Sequence, residues 1–418
     1  MLCCFLSSCY DRAEIDDQAF VIAFGLDKGK TNFLRMTFQI AVPSAFGQEG
    51  GGSSGESGEG KEKHPKSVTI TTIESPTVYS GFNIVNTYVS KQLNLSHTKV
   101  LIISSELAKE NMGMYINAIH RGREFRNTMY ICVCDGSAEE YLKNVNFVLD
   151  ISPSKFYEET FASHRYTSFT ANTQLIQFIS RAKSKSINPV AILVGVDRIE
   201  KLDDYSKENT NYKEKGRENY FGGDFAAGNI PKEYKNKTSA MGLAVFDGAK
   251  MVGMMDGAET RYYLMLTGEY DYSYVTVPDP VVENKFVLLN VKQSRKPRHN
   301  VVMEGDTPKI SVKIMLEADI LSIQSGINYE DPEKVEELET ASEEFFKKDI
   351  VRLLEKTTKV FKSDIFGFGK SMKWKFLTQK EWDEFSWHDK YPNAQFDIEV
   401  DLKIRRPGLI LRTAQFEN

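Results

Sequence analysis

A strict alternation of apolar residues near position 315 constrains the fold of this chain more than any other feature. Successive side chains of a β-strand point to opposite faces, so apolar residues at every second position predict a strand with one buried face. The residues in this pattern are Ile310, Val312, Ile314, Leu316, Ala318 and Ile320. The same spacing recurs near the C terminus, at Phe396, Ile398, Val400, Leu402 and Ile404.

A long amphipathic helix is predicted between these two strands. Asp331 and Pro332 are the residue types preferred at an N-cap and at the first helical position. Apolar residues then recur at steps of three, four and their multiples: Val335, Leu338, Phe345, Ile350, Leu353, Leu354, Val360 and Phe361. Residues 301–418 therefore predict a C-terminal α/β domain in which one long helix packs on an antiparallel or mixed sheet.

Strands and helices alternate over residues 10–198, which predicts an N-terminal α/β domain. A hairpin formed by 18–26 and 33–42 is followed by strands at 68–73, 99–104, 129–134 and 189–196. Predicted helices begin with Pro76 as the first helical residue, run from 106 to 119, follow Ser137, and cover 154–182. Residues 48–66 lack apolar side chains and predict a mobile loop that buries no core.

The middle of the chain predicts a linker and a smaller β-rich domain. Residues 199–236 are polar and charged, and we expect a linker or surface excursion there. Asp247-Gly248 favours a hairpin within 237–300, followed by a short helix and two more strands. The fold class is therefore a multidomain α/β or α+β chain, with mixed sheets packed against helices.

The N terminus carries the first functional signal. Leu6-Ser7-Ser8-Cys9 resembles a bacterial lipobox, in which the cysteine becomes linked to diacylglycerol. Residues 1–9 would then be the remnant of a lipoprotein signal, and two acyl chains on Cys9 would hold the protein at a membrane surface. No Lys or Arg precedes Cys9, so the alternative of a cysteine-rich N-terminal strand stays open.

Composition and missing motifs exclude several functions. The net charge of -5 gives no reason to expect nucleic acid as a partner. Cys132 and Cys134 lack the second pair of a zinc site, and we interpret them as small core residues. His97 is interpreted as a structural histidine, since no nucleophile or orienting partner is evident. The motifs of hydrolases, zinc peptidases and nucleotide-binding proteins are missing, so no catalytic residue, metal or cofactor is predicted.

A series of short motifs, taken in order, resembles the Ger(x)C family of spore germination lipoproteins. Each motif is weak alone, but together they extend over nearly the whole chain. They are Cys9-Tyr10-Asp11-Arg12, Ala23-Phe24-Gly25-Leu26-Asp27, His97-Thr98-Lys99, the Arg121, Glu124 and Arg126 set, Gly242-Leu243-Ala244-Val245-Phe246, Glu259-Thr260 and Asp364-Ile365-Phe366-Gly367-Phe368-Gly369.

The resemblance implies the lipidated C subunit of a nutrient germinant receptor. In that family two integral membrane proteins, one of them similar to amino-acid transporters, complete the receptor in the inner membrane of dormant spores. The resemblance also implies a diacylglyceryl anchor on Cys9, exposure on the extracytoplasmic face and no catalytic activity. It favours a role in germination through protein–protein contacts.

Six side chains within these motifs are candidates for partner contacts. Each also has a purely structural interpretation, as a surface ion pair or as rings that close the long helix against the sheet. The candidates are Arg121, Glu124, Arg126, Glu259, Phe366 and Phe368. Two rival functions stay open: a solute-binding lipoprotein that captures a small nutrient in a cleft, and an envelope enzyme, which the missing motifs disfavour.

Overall fold

A computed structural model describes residues 14–42, 67–149, 152–198 and 222–406. Cys9, the predicted loop at 48–66 and residues 199–221 of the predicted linker lie outside the described residues. The strands are β1 Gln18–Lys28, β2 Leu34–Ala41, β3 Val68–Ser75, β4 Gln92–Asn94, β5 Val100–Ser104, β6 Tyr130–Asp135, β7 Val190–Val196, β8 Thr238–Asp247, β9 Lys250–Met255, β10 Tyr272–Pro278, β11 Phe286–Glu304, β12 Thr307–Ile323 and β13 Gln395–Arg406.

The helices connect these strands or flank the two sheets. They are α1 Val78–Val85, α2 Ser105–Ala108, α3 Gly113–Arg121, α4 Ala138–Asn144, α5 Pro153–Ala162, α6 His164–Thr167, α7 Leu175–Ala182, α8 Gly257–Thr267, α9 Pro332–Lys356, α10 Phe368–Lys373, α11 Gln379–Phe385 and α12 Trp387–Lys390. Short 3-10 segments lie at Ile15–Asp17 and Tyr391–Asn393, and a π-helical turn, Thr357–Phe361, follows α9.

The first sheet has the strand order β3-β2-β1-β5-β6-β7-β8-β9, with β4 paired to β1. Its central strands β1, β5, β6 and β7 are parallel, and every residue of β5 is buried. Helices cover both faces, as a parallel sheet requires. Apolar side chains of α1, α3 and α7 form the core on one face, and those of α4 and α5 form the core on the other.

The first sheet extends beyond the predicted limit of the N-terminal domain. β8 pairs antiparallel with β7 and also with β9, so the predicted hairpin at Asp247-Gly248 forms the end of this sheet. β10 and β11 belong instead to the second sheet. The strands predicted within 237–300 are therefore shared between the two sheets. The sequence did not indicate this, because apolar periodicity predicts strands but not which strands pair. The domain limits at 198, 237 and 300 remain predictions.

The second sheet has the order β10-β11-β12-β13 and confirms the mixed sheet predicted for the last third of the chain. β12 pairs antiparallel with β11 and parallel with β13. The alternating apolar residues of β12 and β13 face the core beneath α8 and α9. The carboxylates of Glu339 and Glu343 on α9 accept backbone N–H bonds from Ile404 and Leu402 at 2.7 and 2.9 Å. Side chains of α9 therefore provide acceptors for backbone N–H groups of β13, which lies at the edge of the sheet.

Three helix predictions are wrong in their limits. Pro76 precedes the helix, because Thr77 is the N-cap and forms a capping box with Ser80. The helix predicted over 106–119 is divided into α2 and α3, because the Met112 N–H bonds to the Ala249 carbonyl of the β8–β9 turn. The helix predicted over 154–182 is divided into α5, α6 and α7, and Ser168 adopts a left-handed conformation between them.

Val360 is the one side chain of the predicted helix face that is exposed, at 65%. Residues Thr357–Phe361 form a π-helical turn, which holds more residues per turn than an α-helix. The turn shifts the phase of the side chains that follow it, so Phe361 is buried while Val360 faces solvent.

Candidate functional site

A buried carboxylate organises the turn at residues 364–369. Asp364 is fully buried, and its Oδ1 accepts the backbone N–H groups of Phe366, Gly367 and Phe368 at 3.1, 2.8 and 3.3 Å. Its Oδ2 accepts the Gly369 N–H at 2.8 Å and the indole N–H of Trp387 at 2.9 Å. Burial raises the pKa of Asp364, and these donors oppose that shift. The aspartate therefore fixes the backbone path that follows the long helix.

Phe366 and Phe368 are buried by this turn, with exposed fractions of 8% and 1%. Phe366 packs against Tyr263, with ring centroids 6.0 Å apart, and Phe368 packs against Phe396 at 6.1 Å. Gly367 lies between them with φ of +83°, a conformation that glycine adopts easily. Both rings therefore lie in the core of the chain itself, which is the structural interpretation of this pair rather than the partner contact.

The same turn joins the two sheets. The Asn188 N–H, just before β7, donates to the Asp364 carbonyl at 2.7 Å, and the Ser363 hydroxyl donates to the Phe246 carbonyl of β8 at 2.7 Å. Phe361, just upstream, packs so closely on β9 that a Cβ at Gly253 would lie 2.1 Å from its ring. The Asp364 turn is thus a junction through which the C-terminal sheet is attached to the N-terminal sheet.

Glu259 is also used inside the chain. It closes a capping box with Asp256 at the start of α8, and both of its carboxylate oxygens lie 2.8 Å from Nζ of Lys356 at the end of α9. Arg261, on the same helix, is 3% exposed and lies over the Phe169 ring at 5.0 Å. Glu259 therefore links two helices of the chain itself, and a partner contact there stays a prediction.

Arg121, Glu124 and Arg126 lie on the surface, where a partner could reach them. All three are exposed at and after the end of α3, while Phe125 between them is buried. Across the described ranges, neither arginine has a carboxylate within 4.0 Å, so the expected ion pair with Glu124 is not formed. The structure brings these three together but separates them from Glu259 and the two phenylalanines. Their role as partner contacts stays a prediction.

The carboxyl ends of the parallel strands, where α/β proteins often bind ligands, are tied internally. Asp27 at the end of β1 accepts the N–H groups of Ala138 and Glu139 at 2.8 and 2.9 Å, and burial raises its pKa. Asp197 lies 2.9 Å from Lys232, and Arg198 lies 3.8 Å from Asp135. The remaining cleft has a volume of about 250 Å³. This geometry holds α4 to the sheet and adds no support to the solute-binding alternative.

The remaining chemical candidates are buried or packed. Cys132 and Cys134 are unpaired and buried, and burial raises the pKa of both thiols, which makes them poor nucleophiles. His97 is exposed and meets the Phe20 ring edge-on at 5.2 Å. In the part of the chain that the structure covers, no group of three His, Cys, Asp or Glu side chains could hold a metal ion. The described helices also include none long and apolar enough to cross a membrane.

Sequence reasoning missed an apolar feature on the surface. Trp374 and Leu377 are 89% and 96% exposed, and they border a groove of about 380 Å³. Phe376, between them, packs inward on Trp382 and Phe385 at 5.4 and 4.9 Å. A lysine-rich run around an aromatic residue is the signal that could have indicated this surface.

Comparison with known proteins identifies the class to which this fold belongs. Residues 11–196 match the family model "Spore germination protein N-terminal domain", and residues 241–408 match "Spore germination B3/ GerAC like, C-terminal". The two models follow one another along the chain and leave only the region of the predicted linker between them. The chain therefore has the domain content of a spore germination protein.

Two curated relatives match this chain over nearly its full length. Spore germination protein KC of Bacillus subtilis (strain 168) is 24% identical over 415 residues, covering 97% of this chain and 93% of the relative. Putative spore germination protein YfkR of the same organism is 22% identical, covering 99% and 96%. The crystal structure of the GerBC protein matches with a TM-score of 0.53 and 14% identity, covering 92% of this chain and 98% of that chain, which shows a shared fold. The chain belongs to the GerAC-like family of spore germination proteins, and these matches support a role in germination.

Proposed function

We propose that this chain is the lipid-anchored C subunit of a nutrient germinant receptor, and that it acts without catalysis through contacts with two integral membrane subunits, one of them transporter-like. The observation that carries the proposal is the match of 97% of the chain to spore germination protein KC. A match of this extent includes both family domains rather than one shared module.

The proposed anchor is a diacylglyceryl group on Cys9, at the extracytoplasmic face of the inner spore membrane. Support comes from the lipobox-like Leu6-Ser7-Ser8-Cys9 immediately before the family match begins at residue 11. An anchor would confine the folded chain to the membrane surface and raise its effective concentration beside membrane partners. Association would then need only modest contact surfaces, such as the exposed Arg121, Glu124 and Arg126.

Replacement of the lipobox cysteine tests this proposal. In spores that make the full-length precursor, we expect Cys9→Ala to release the protein from membranes washed at high salt and to slow nutrient-triggered germination. Cys4→Ala is the matched control, because it removes a neighbouring thiol outside the lipobox and should change neither property. Full membrane retention together with normal germination of the Cys9→Ala strain would contradict the proposal.

A further inference from the structure

The segment around Trp374 exposes two large apolar side chains on a rigid base. Helix α10 ends at Lys373, and Phe376 is held inward by its ring contacts with Trp382 and Phe385. Trp374 and Leu377, on either side of this anchor, are left 89% and 96% exposed. Scattered exposed apolar residues are ordinary, but two adjacent ones beside a groove indicate a contact surface.

Cationic side chains surround this apolar pair. Residues 370–380 contain four lysines and no acidic residue, namely Lys370, Lys373, Lys375 and Lys380. Lys296 of β11, beside the end of α8, adds a fifth cation. This concentration of positive charge stands out on a chain whose net charge is -5.

The two segments meet beside α10, and we call residues 370–380 together with Lys296 and His299 the Trp374 platform. Lys292 and Arg298 pair with the outward-facing Glu317 and Lys313 of β12, so they lie on the other face of the sheet. The imidazole of His299 lies 2.8 Å from the Ser371 hydroxyl, and the Lys375 ammonium donates to the Val301 carbonyl at 2.6 Å. Lys296 flanks Gly268 at the end of α8, so the β11 segment is itself held against the core.

Most of the platform's cations have no acidic partner in the chain. The described acidic side chains lie more than 4.0 Å from Lys296, Lys370 and Lys373. Within the groove, Trp382 contributes an aromatic wall, and its indole N–H has no acceptor in the described residues. The surface therefore presents these cations beside apolar side chains. At its edge, the Glu381 carboxylate accepts the Leu377 and Thr378 N–H groups, and Lys380 pairs with Glu384.

We propose that the Trp374 platform docks on anionic lipid headgroups, with Trp374 and Leu377 inserted at the membrane interface. Tryptophan is enriched at the level of the headgroups, and Lys and Arg are attracted to anionic leaflets. Lysine is depleted at protein–protein interfaces, which favours a lipid surface over a protein partner. The biological setting rests on the proposed membrane location, whereas the lipid contact itself needs no receptor. Together with the anchor, the platform would fix the orientation of the folded chain on the bilayer.

Purified full-length chain carrying Cys9→Ser tests the platform without a lipid anchor. We expect it to sediment with vesicles of phosphatidylglycerol and phosphatidylcholine but not with phosphatidylcholine alone, and to be released by added salt. Brominated lipids in the mixed vesicles should quench its fluorescence. Since Trp382 and Trp387 are each 1% exposed, such quenching reports Trp374.

Matched substitutions separate the platform from the rest of the surface. We expect Trp374→Ala with Leu377→Ala to weaken vesicle binding at least tenfold, and Lys370→Gln and Lys373→Gln to weaken it about fivefold per charge. Met114→Ala is the apolar control, because Met114 is 67% exposed outside the platform. Lys91→Gln with Lys109→Gln is the charge control, since both lysines are exposed and lie outside the platform.

Three results would overturn the inference: no binding to anionic vesicles, equal binding by the platform variants and the wild type, or binding without bromine quenching. Variants that keep vesicle binding but lose co-purification with membrane subunits would assign the platform to a protein partner and also overturn it. Because the assay uses only lipid and the unanchored chain, its failure leaves the proposed receptor role unaffected. Conversely, normal membrane retention of Cys9→Ala would not alter the expected vesicle binding.

Discussion

At the scale of the residue, one buried carboxylate decides how the C-terminal half is held. Transfer of a charged Asp364 into the core is costly, and five N–H donors within 3.3 Å offset that cost. The donors come from the turn itself and from Trp387, so one side chain fixes two segments. This family motif therefore forms an internal junction, in keeping with its structural interpretation.

Asp364→Asn should destabilise the protein by about 3 kcal/mol, because the amide would place an NH₂ group among donors and leave some of them unsatisfied. Urea unfolding followed by tryptophan fluorescence measures this directly, since Trp387 bonds to Asp364. The control is Asp389→Asn at an exposed position, which should change stability by no more than about 0.5 kcal/mol. Equal stability of the two variants would contradict the role assigned to Asp364.

At the scale of the element, an ionic network attaches helix α4 to the hairpin strands. Arg35 on β2 lies 2.6 Å from Glu139 on α4 and 3.3 Å from Glu74 on β3. The bond from Arg35 lowers the pKa of Glu139 to about 2. Bonds from the Thr31 hydroxyl and the Lys30 and Thr31 backbone lower the pKa of Glu74 to about 2. Both carboxylates are thus stabilised in their charged form by folding.

Acid should weaken this network within a defined window. A carboxyl whose pKa falls from 4.5 to about 2 on folding contributes stability above pH 4.5, and that contribution is lost as the pH falls towards 2. Arg35→Gln should lower the free energy of unfolding at pH 7 by about 1 kcal/mol after solvent screening. It should also flatten the decline between pH 4.5 and 2.

Urea midpoints at pH 7, 4.5 and 3 check this prediction. Lys28→Gln is the control, because Lys28 pairs with the exposed Glu110 and does not touch Glu139. Its pH dependence should follow that of the wild type. If Arg35→Gln also followed the wild type, the network would not be the source of the acid sensitivity.

Elements whose pattern is local were predictable from the sequence, and those that depend on distant contacts were not. The alternation in β12 and β13 and the Asp331 N-cap of α9 are local signals, and the structure has them. The break between α2 and α3 depends on a hydrogen bond to the Ala249 carbonyl, which lies far away in sequence. The π-helical turn that exposes Val360 likewise has no periodic signature.

At the scale of the whole molecule, the sequence indicated the family. It did not show which of the candidate residues lie on the surface and which lie inside. The order of the motifs was enough to suggest a spore germination protein, and the family models agree. The internal interpretation of Phe366 and Phe368 was available from the sequence, but their partners Tyr263 and Phe396 are distant in sequence and could not be named. The same holds for Glu259 and Lys356. The Trp374 platform was missed for the same reason: His299 and Ser371 are 72 positions apart.

Co-purification from spore inner membranes tests the central claim most directly. The native gene would carry a C-terminal tag, and detergent extracts would be analysed by mass spectrometry. The account predicts recovery with a transporter-like protein and a second multi-span subunit, and a diacylglyceryl group on Cys9. Recovery of the chain alone, with an unmodified Cys9, would contradict the receptor-subunit role and leave only the family fold.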